Sequence, residues 1–298
     1  MFAFWERAIE RGGGGLLVDE SFEHLRLRNN GIVFHELEYE ELIATATSLF
    51  RVLLLPNLYE FVDMDHLMLW SWMAQLLNAA ELGQRDPTHD TPLELLNTSV
   101  RAALATTGPR LNTEDRYAWE LEIKLKEFIP FHLAKLMDHH STIVACAAFP
   151  ALEGTLRRAC ANYVDVDGTV LKTFKRVGRT DQYAAGATCS SLLDLLVLLA
   201  DHVAEEPLRS ALLEVRGHLQ RVGAPTEPFA IIRTWRNELL HGERISPTIG
   251  GAVLTLALLA PVAALRDSFA VRRARAWMIA QSGDSYFRRS PWTFYPPV

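Results

Sequence analysis

From Ile249 to Leu265 the chain carries no charged residue and a single hydroxyl, Thr255, among aliphatic side chains, alanines, glycines and one proline. A segment apolar on every side must be covered on every side. It stops short of the ~20 residues that a membrane-spanning helix needs. It also contains Pro261 and the pair Gly250-Gly251. These features predict a buried core helix and no membrane association. Other elements have to pack around it.

The candidates to do so are helical. Tyr39–Leu55, Met64–Ala80, Thr91–Leu104 and Asp115–Met137 carry apolar residues at three- and four-residue spacing. Strand signals are confined to Gly31–His35 and Thr169–Phe174. The fold class expected is therefore all-α. A hydrophobic content of 49% with 22% charged residues is enough for a substantial core. The net charge of -6 is the wrong sign for a protein that coats nucleic acid indiscriminately, so any nucleic-acid contact needs a local basic patch. Cys146, Cys160 and Cys189 are odd in number, widely spaced and without a CxxC. That pattern predicts buried free thiols rather than a disulfide framework or a zinc site. No signal-peptide pattern opens the sequence, and a cytoplasmic protein is expected.

The C-terminal half parses into five helices: Thr142–Tyr163, where Pro150 either bends the helix or marks its start; one capped by Ser190 and running to about Ala204; Pro207–Arg221; Pro228–His241, stopped by Gly242; and one entered at Ser246-Pro247 and running towards Trp277. Asp165–Gly186 reads as a loop. The expected organisation is an N-terminal helical region over 1–135, a helical bundle over 136–282 and an aromatic, proline-rich tail over 283–298. The glycines at 12–15 form a flexible link, since no GK[ST] follows to make a phosphate loop.

The chemistry converges on Arg236-Asn237-Glu238-Leu239-Leu240-His241-Gly242. At ~100° per residue, Phe229, Ile231, Ile232, Trp235, Leu239 and Leu240 fall in one apolar arc. Arg236 lies inside that arc, Arg233 near its edge, and Asn237 and His241 on the polar side. A guanidinium on a buried face needs a carboxylate or a groove that admits phosphate. Arg236 and His241 are offset by ~140° on a straight helix, so their side chains diverge. Two routes would bring an Arg and a His into one cleft. The helix could end at His241 and let the imidazole swing away, or a two-fold partner chain could bring a second pair alongside.

This constellation resembles the HEPN superfamily of helical-bundle proteins, many of them RNases, whose motif is an Arg, four to six residues and a His, often with a polar residue after the Arg. Arg236, Asn237 and His241 match it, and Phe149–Arg157 resembles the first bundle helix of several members. The resemblance covers about residues 140–282. It implies Glu153 as the partner of Arg236, and a metal-independent endoribonuclease with no cofactor. In that reaction the RNA 2′-hydroxyl attacks the adjacent phosphorus and His241 moves the proton. Arg236 stabilises the phosphoryl charge, and Asn237 orients His241 or touches phosphate. A 2′,3′-cyclic phosphate and a 5′-hydroxyl would result. The family also implies a homodimer with a composite cleft, a defence or toxin–antitoxin setting and an antitoxin or regulatory partner. The region 1–135 would then sense, dock or restrain.

A basic loop, Lys172, Lys175, Arg176 and Arg179, is the candidate RNA-backbone contact; its bland alternative is a solvated loop. Arg266, Arg272, Arg273 and Arg275 read as solvated surface. Asp138-His139-His140 and the Asp86–Asp90 stretch contain metal-capable side chains without a matching second cluster. Two readings compete with cleavage. One is a non-catalytic module that binds RNA or a nucleotide; the other is a regulatory scaffold, in which Arg236 and Glu153 form a structural ion pair and His241 sits at the helix dipole.

Overall fold

The computed structural model describes residues 34–54, 64–79, 90–106, 140–223, 226–242 and 247–287. Among these residues are nine α-helices: α1 (Tyr39–Leu53), α2 (Met64–Asn78), α3 (Thr91–Thr106), α4 (His140–Ala159), α5 (Leu192–Leu198), α6 (Leu208–Arg221), α7 (Ala230–Leu240), α8 (Pro247–Ala263) and α9 (Phe269–Phe287). Between α4 and α5 lies a two-stranded antiparallel hairpin, β1 (Phe174–Lys175) and β2 (Gln182–Tyr183). The all-α expectation is met at this level.

The apolar run is α8, at the centre. Every residue from Ala252 to Leu259 is buried. It packs against α4 on one side and against α1 and α2 on another. The one hydroxyl between Ile249 and Leu265 is used twice: Thr255 Oγ1 donates to Gly251 O at 2.9 Å and accepts from Trp70 Nε1 at 2.8 Å. The Thr255 hydroxyl is thus satisfied and in turn satisfies a buried indole from α2. Tyr39 of α1 donates to Ala263 O at 2.8 Å, using a carbonyl of the last turn. Close approach is built from small residues. A Cβ on Gly251 would lie 2.8 Å from Trp70, and one on Gly154 of α4 would lie 2.5 Å from Pro92 of α3.

One buried cluster runs from Phe34 through α1, α2 and α3 into α4, α5, α6, α7 and α8. The helices on either side of the 135/136 boundary thus share a core, and the boundary itself lies outside the described residues. So do the helix expected at Asp115–Met137, the Gly12–Gly15 link and nearly all of the tail. Among the described residues no single helix is long and apolar enough to cross a membrane.

Three local expectations are corrected. The helix entered at Ser246-Pro247 does not continue to Trp277: it ends at Ala263, and α9 leaves at an angle of 71°. The apolar run ends at Leu265, the next three residues form a 3-10 turn, and Arg266 donates to Glu206 O at 2.9 Å. Phe269 then meets Tyr39 edge-on at 5.5 Å, a contact a straight helix would forgo. Second, Ser191 rather than Ser190 caps α5, accepting from Asp194 N at 3.2 Å. Third, α4 begins at His140, with Pro150 inside it. The last helix also corrects its arginines. Arg272 donates to Leu76 O and Leu77 O, and Arg273 reaches Leu37 O and pairs with Glu38 at 2.7 Å, so both tie α9 to the N-terminal helices.

Candidate functional site

Helix α7 enters the site from an ionic anchor. Arg216 of α6 pairs with Glu227 and, at 2.8 Å, with Asp201 in a π-helical turn that extends α5. Glu227 also accepts from Phe229 N at 3.2 Å, which fixes the chain just before α7 begins. From there the helix buries Ala230, Ile232 and Trp235, a narrow stripe. Ile231 and Leu239 are half-buried. Leu240, expected in the apolar arc, is instead 70% exposed, because nothing in the described chain packs beyond the last turn of α7.

Arg236 stands beside the stripe, and its Nη2 donates to Glu153 Oε2 at 3.2 Å. The carboxylate demanded by a guanidinium on that face is thus Glu153, the one the resemblance implied. The other carboxylate oxygen, Oε1, accepts from Arg157 Nη2 at 2.6 Å. Arg157 Nη1 donates onward to Val166 O at 3.0 Å, in the loop after α4. Glu153 and Arg157 are each 19% exposed and Arg236 is 34% exposed, so solvent reaches Arg236 more readily than the pair beneath it.

His241 ends the helix. Its backbone N–H still donates to Asn237 O at 2.9 Å, and Gly242 turns the chain away at φ 77°. The side chains of Arg233, Asn237 and His241 are exposed. On an ideal helix the imidazole would be offset from Arg236 by ~140°, and here the helix ends at Leu240 with His241 as its C-cap.

The basic loop is a pinned hairpin. Buried Asp194 accepts from Val177 N at 2.7 Å and from the Tyr183 hydroxyl at 2.9 Å. Arg176 pairs with Asp181 at 2.9 Å and lies over the Tyr183 ring, which commits its charge locally. Lys172 lies over Tyr163 and donates to its hydroxyl at 3.3 Å. Lys175 and Arg179 are exposed. Among the described residues no hydrogen bond or ion pair links these four to Arg236 or His241.

Burial under the hairpin silences its acids. Desolvation pushes the Cys160 thiol up to about 12, with Cys189 adding to the shift. Desolvation likewise raises the Cys189 thiol. The Tyr183 hydroxyl is raised by desolvation and by its bond to Asp194. None of the three is set up as a nucleophile at neutral pH.

Arg157 was not legible as a site residue from the motif alone. The available signal was its spacing from Glu153, one helical turn on, where an acid and a base meet across a helix surface. Comparisons with protein-family models, curated proteins and solved structures found no match for the chain.

Proposed function

We propose that this protein is a metal-independent endoribonuclease of the HEPN type, whose cleft is completed by a second copy of the chain. One observation carries the reading: Arg236 is held from behind by a single carboxylate bond while still open to solvent, on the helix whose last turn presents an exposed His241. A guanidinium in that setting can take a phosphodiester, and an imidazole free of the core can move a proton. The ~140° offset expected of residues five apart on a helix favours a shared cleft over a single-chain one. Two copies of α7 meeting near Leu240 would bury an apolar side chain that is 70% exposed in one chain and bring Arg236 of one copy towards His241 of the other. The 2′-hydroxyl then attacks phosphorus, the P–O5′ bond breaks, and the proton passes from the 2′-oxygen to the 5′-oxygen with His241 as carrier. Arg236 carries the charge that builds on the non-bridging oxygens. Exposed Lys175 and Arg179 are the remaining candidates for the RNA backbone.

End-labelled RNA incubated in EDTA supplies the test. Cleavage leaving 2′,3′-cyclic phosphate and 5′-hydroxyl ends is expected, with no cleavage of the DNA equivalent. Arg236→Ala and His241→Ala should each abolish it, and mixing the two inactive variants should restore a fraction of it through mixed dimers. Full activity in either variant, or cleavage that persists as a strict monomer, rules the site out. RNA retained without cleavage would favour the non-catalytic binding module.

A further inference from the structure

We propose that Arg157 is a positioning residue for Arg236: it holds one end of Glu153 so that the three-residue cluster keeps one positive charge in excess for a phosphodiester. This rests on the reading above and adds the device that keeps Arg236 available.

An isolated carboxylate beside Arg236 would use both oxygens in a parallel two-bond pair, the strongest arrangement open to it. The guanidinium fork would then be neutralised and turned inward. In this structure that pairing is blocked. Arg157 takes Oε1 at 2.6 Å, and Arg236 is left with Oε2 alone at 3.2 Å. The shorter bond belongs to the more buried arginine. Two guanidiniums share one carboxylate, and the unbalanced charge lies on the arginine that solvent reaches.

The Arg157 Nε–H is buried and has no acceptor among the described residues. A buried donor left unpaired costs ~1–3 kcal/mol, which the bonds to Glu153 and Val166 O offset. The guanidinium is kept in place by Val166 O at 3.0 Å and lies under Gly168, where an added Cβ would come within 3.3 Å of Arg157 Nη2. Gly168 itself sits at φ 92°. Asp167 lies within electrostatic reach of Arg157, but it is held by the Thr169 N–H and hydroxyl and faces solvent, where screening weakens it.

The test uses the full chain, one RNA oligonucleotide and its 2′-deoxy counterpart, with folding followed by circular dichroism melts. Arg157→Gln should lower kcat roughly tenfold or more, as for the loss of a charge-assisted contact. It should also weaken 2′-deoxy binding and reduce the log–log salt slope by about 0.7. Arg157→Lys, which keeps the charge, should stay close to wild type. Adding Glu153→Gln to Arg157→Gln should restore activity to the level of Glu153→Gln alone, because a neutral amide cannot hold Arg236. A purely structural Arg157 would instead show losses that add. A folded Arg157→Gln with wild-type activity, or a double variant no better than the single, overturns the proposal. If wild type cuts no RNA, the nuclease reading falls and the 2′-deoxy binding arm decides the inference. If Arg157→Gln does not fold, Glu153→Gln decides: tighter 2′-deoxy binding supports the proposal and unchanged binding ends it.

Discussion

Helices α8 and α7 are built by opposite rules. Helix α8 is buried round its whole circumference from Ala252 to Leu259 and is held by close contact between small residues and large ones. Helix α7 buries only Ala230, Ile232 and Trp235, and is held at its start by the Arg216–Glu227 anchor and along its side by the Glu153–Arg236 bond. One helix carries stability, and the other carries the polar groups. A chain that separates these tasks can expose charged side chains at one end without loosening its centre. The contrast yields an ordering: substitutions around α8 should act most on folding, and substitutions at the end of α7 least.

The largest effect should come from Trp70. Its ring is fully buried against α8 and its indole N–H is satisfied by Thr255. Trp70→Ala removes that contact and strands a hydroxyl lone pair beside a cavity, with an expected loss of ~3–5 kcal/mol in urea unfolding. A loss below about 1 kcal/mol would mean that α8 is not the keystone of the core.

Two glycines sharpen the same point with opposite signs. Gly217 lies on α6 with open space where a Cβ would go, so Gly217→Ala should stabilise by up to ~1 kcal/mol through helix propensity. Gly251→Ala gains the same propensity but drives a methyl to 2.8 Å from Trp70, which is tethered and cannot yield. Overpacking of ~1–3 kcal/mol should outweigh the gain, giving a net loss in thermal melts. If both substitutions stabilise, the close contact between α2 and α8 is not restrictive.

What was readable in the sequence follows the same division. The apolar run announced α8 because burial on all sides leaves a compositional trace. The Arg236–Glu153 pair was readable because a guanidinium on an apolar arc demands a carboxylate, and the resemblance pointed to one. The turn after Ala263 was not readable: local pattern permits a continuing helix, and the reason to break is Phe269 meeting Tyr39 from far along the chain. The exposure of Leu240 was equally hidden, since a helical wheel gives a side chain's direction but not what stands opposite. Arg176 read as a phosphate contact because its partner, Asp181, becomes a neighbour only when the hairpin closes.

Alkaline pH probes the junction between the two regimes, the acids beneath the hairpin. Cys160 ordinarily titrates at 9.0 and is pushed up to about 12, while Cys189 and Tyr183 are also raised. The fold prefers the neutral form of each. Below pH 9 both folded and unfolded chains are protonated and the contribution is complete. As pH climbs from 9 towards 12 the unfolded chain sheds protons first, so stability falls, by at most ~1.4 kcal/mol per pH unit for each group. Urea midpoints should be flat from pH 7 to 8.5 and decline beyond it. In the same range exposed Cys146 should react with a thiol reagent in the native protein, while Cys160 and Cys189 should not.

The smallest effect on folding should come from His241. Its side chain is exposed, it follows the last residue of α7, and the reversal after it is made by Gly242 rather than by the imidazole. His241→Ala should therefore leave stability within ~0.5 kcal/mol of wild type. Arg236→Ala should cost somewhat more, because Glu153 loses one partner, but Arg157 continues to hold that carboxylate and prevents a buried unpaired charge. The two variants thus separate a catalytic from a structural Arg236–His241 pair without an activity assay. Were the pair structural, removing either residue would unfold the end of α7, and hydrogen exchange at Glu238, Leu239 and Leu240 would accelerate together with a fall in the melting temperature. If the pair is not structural, those amides should exchange nearly as in wild type.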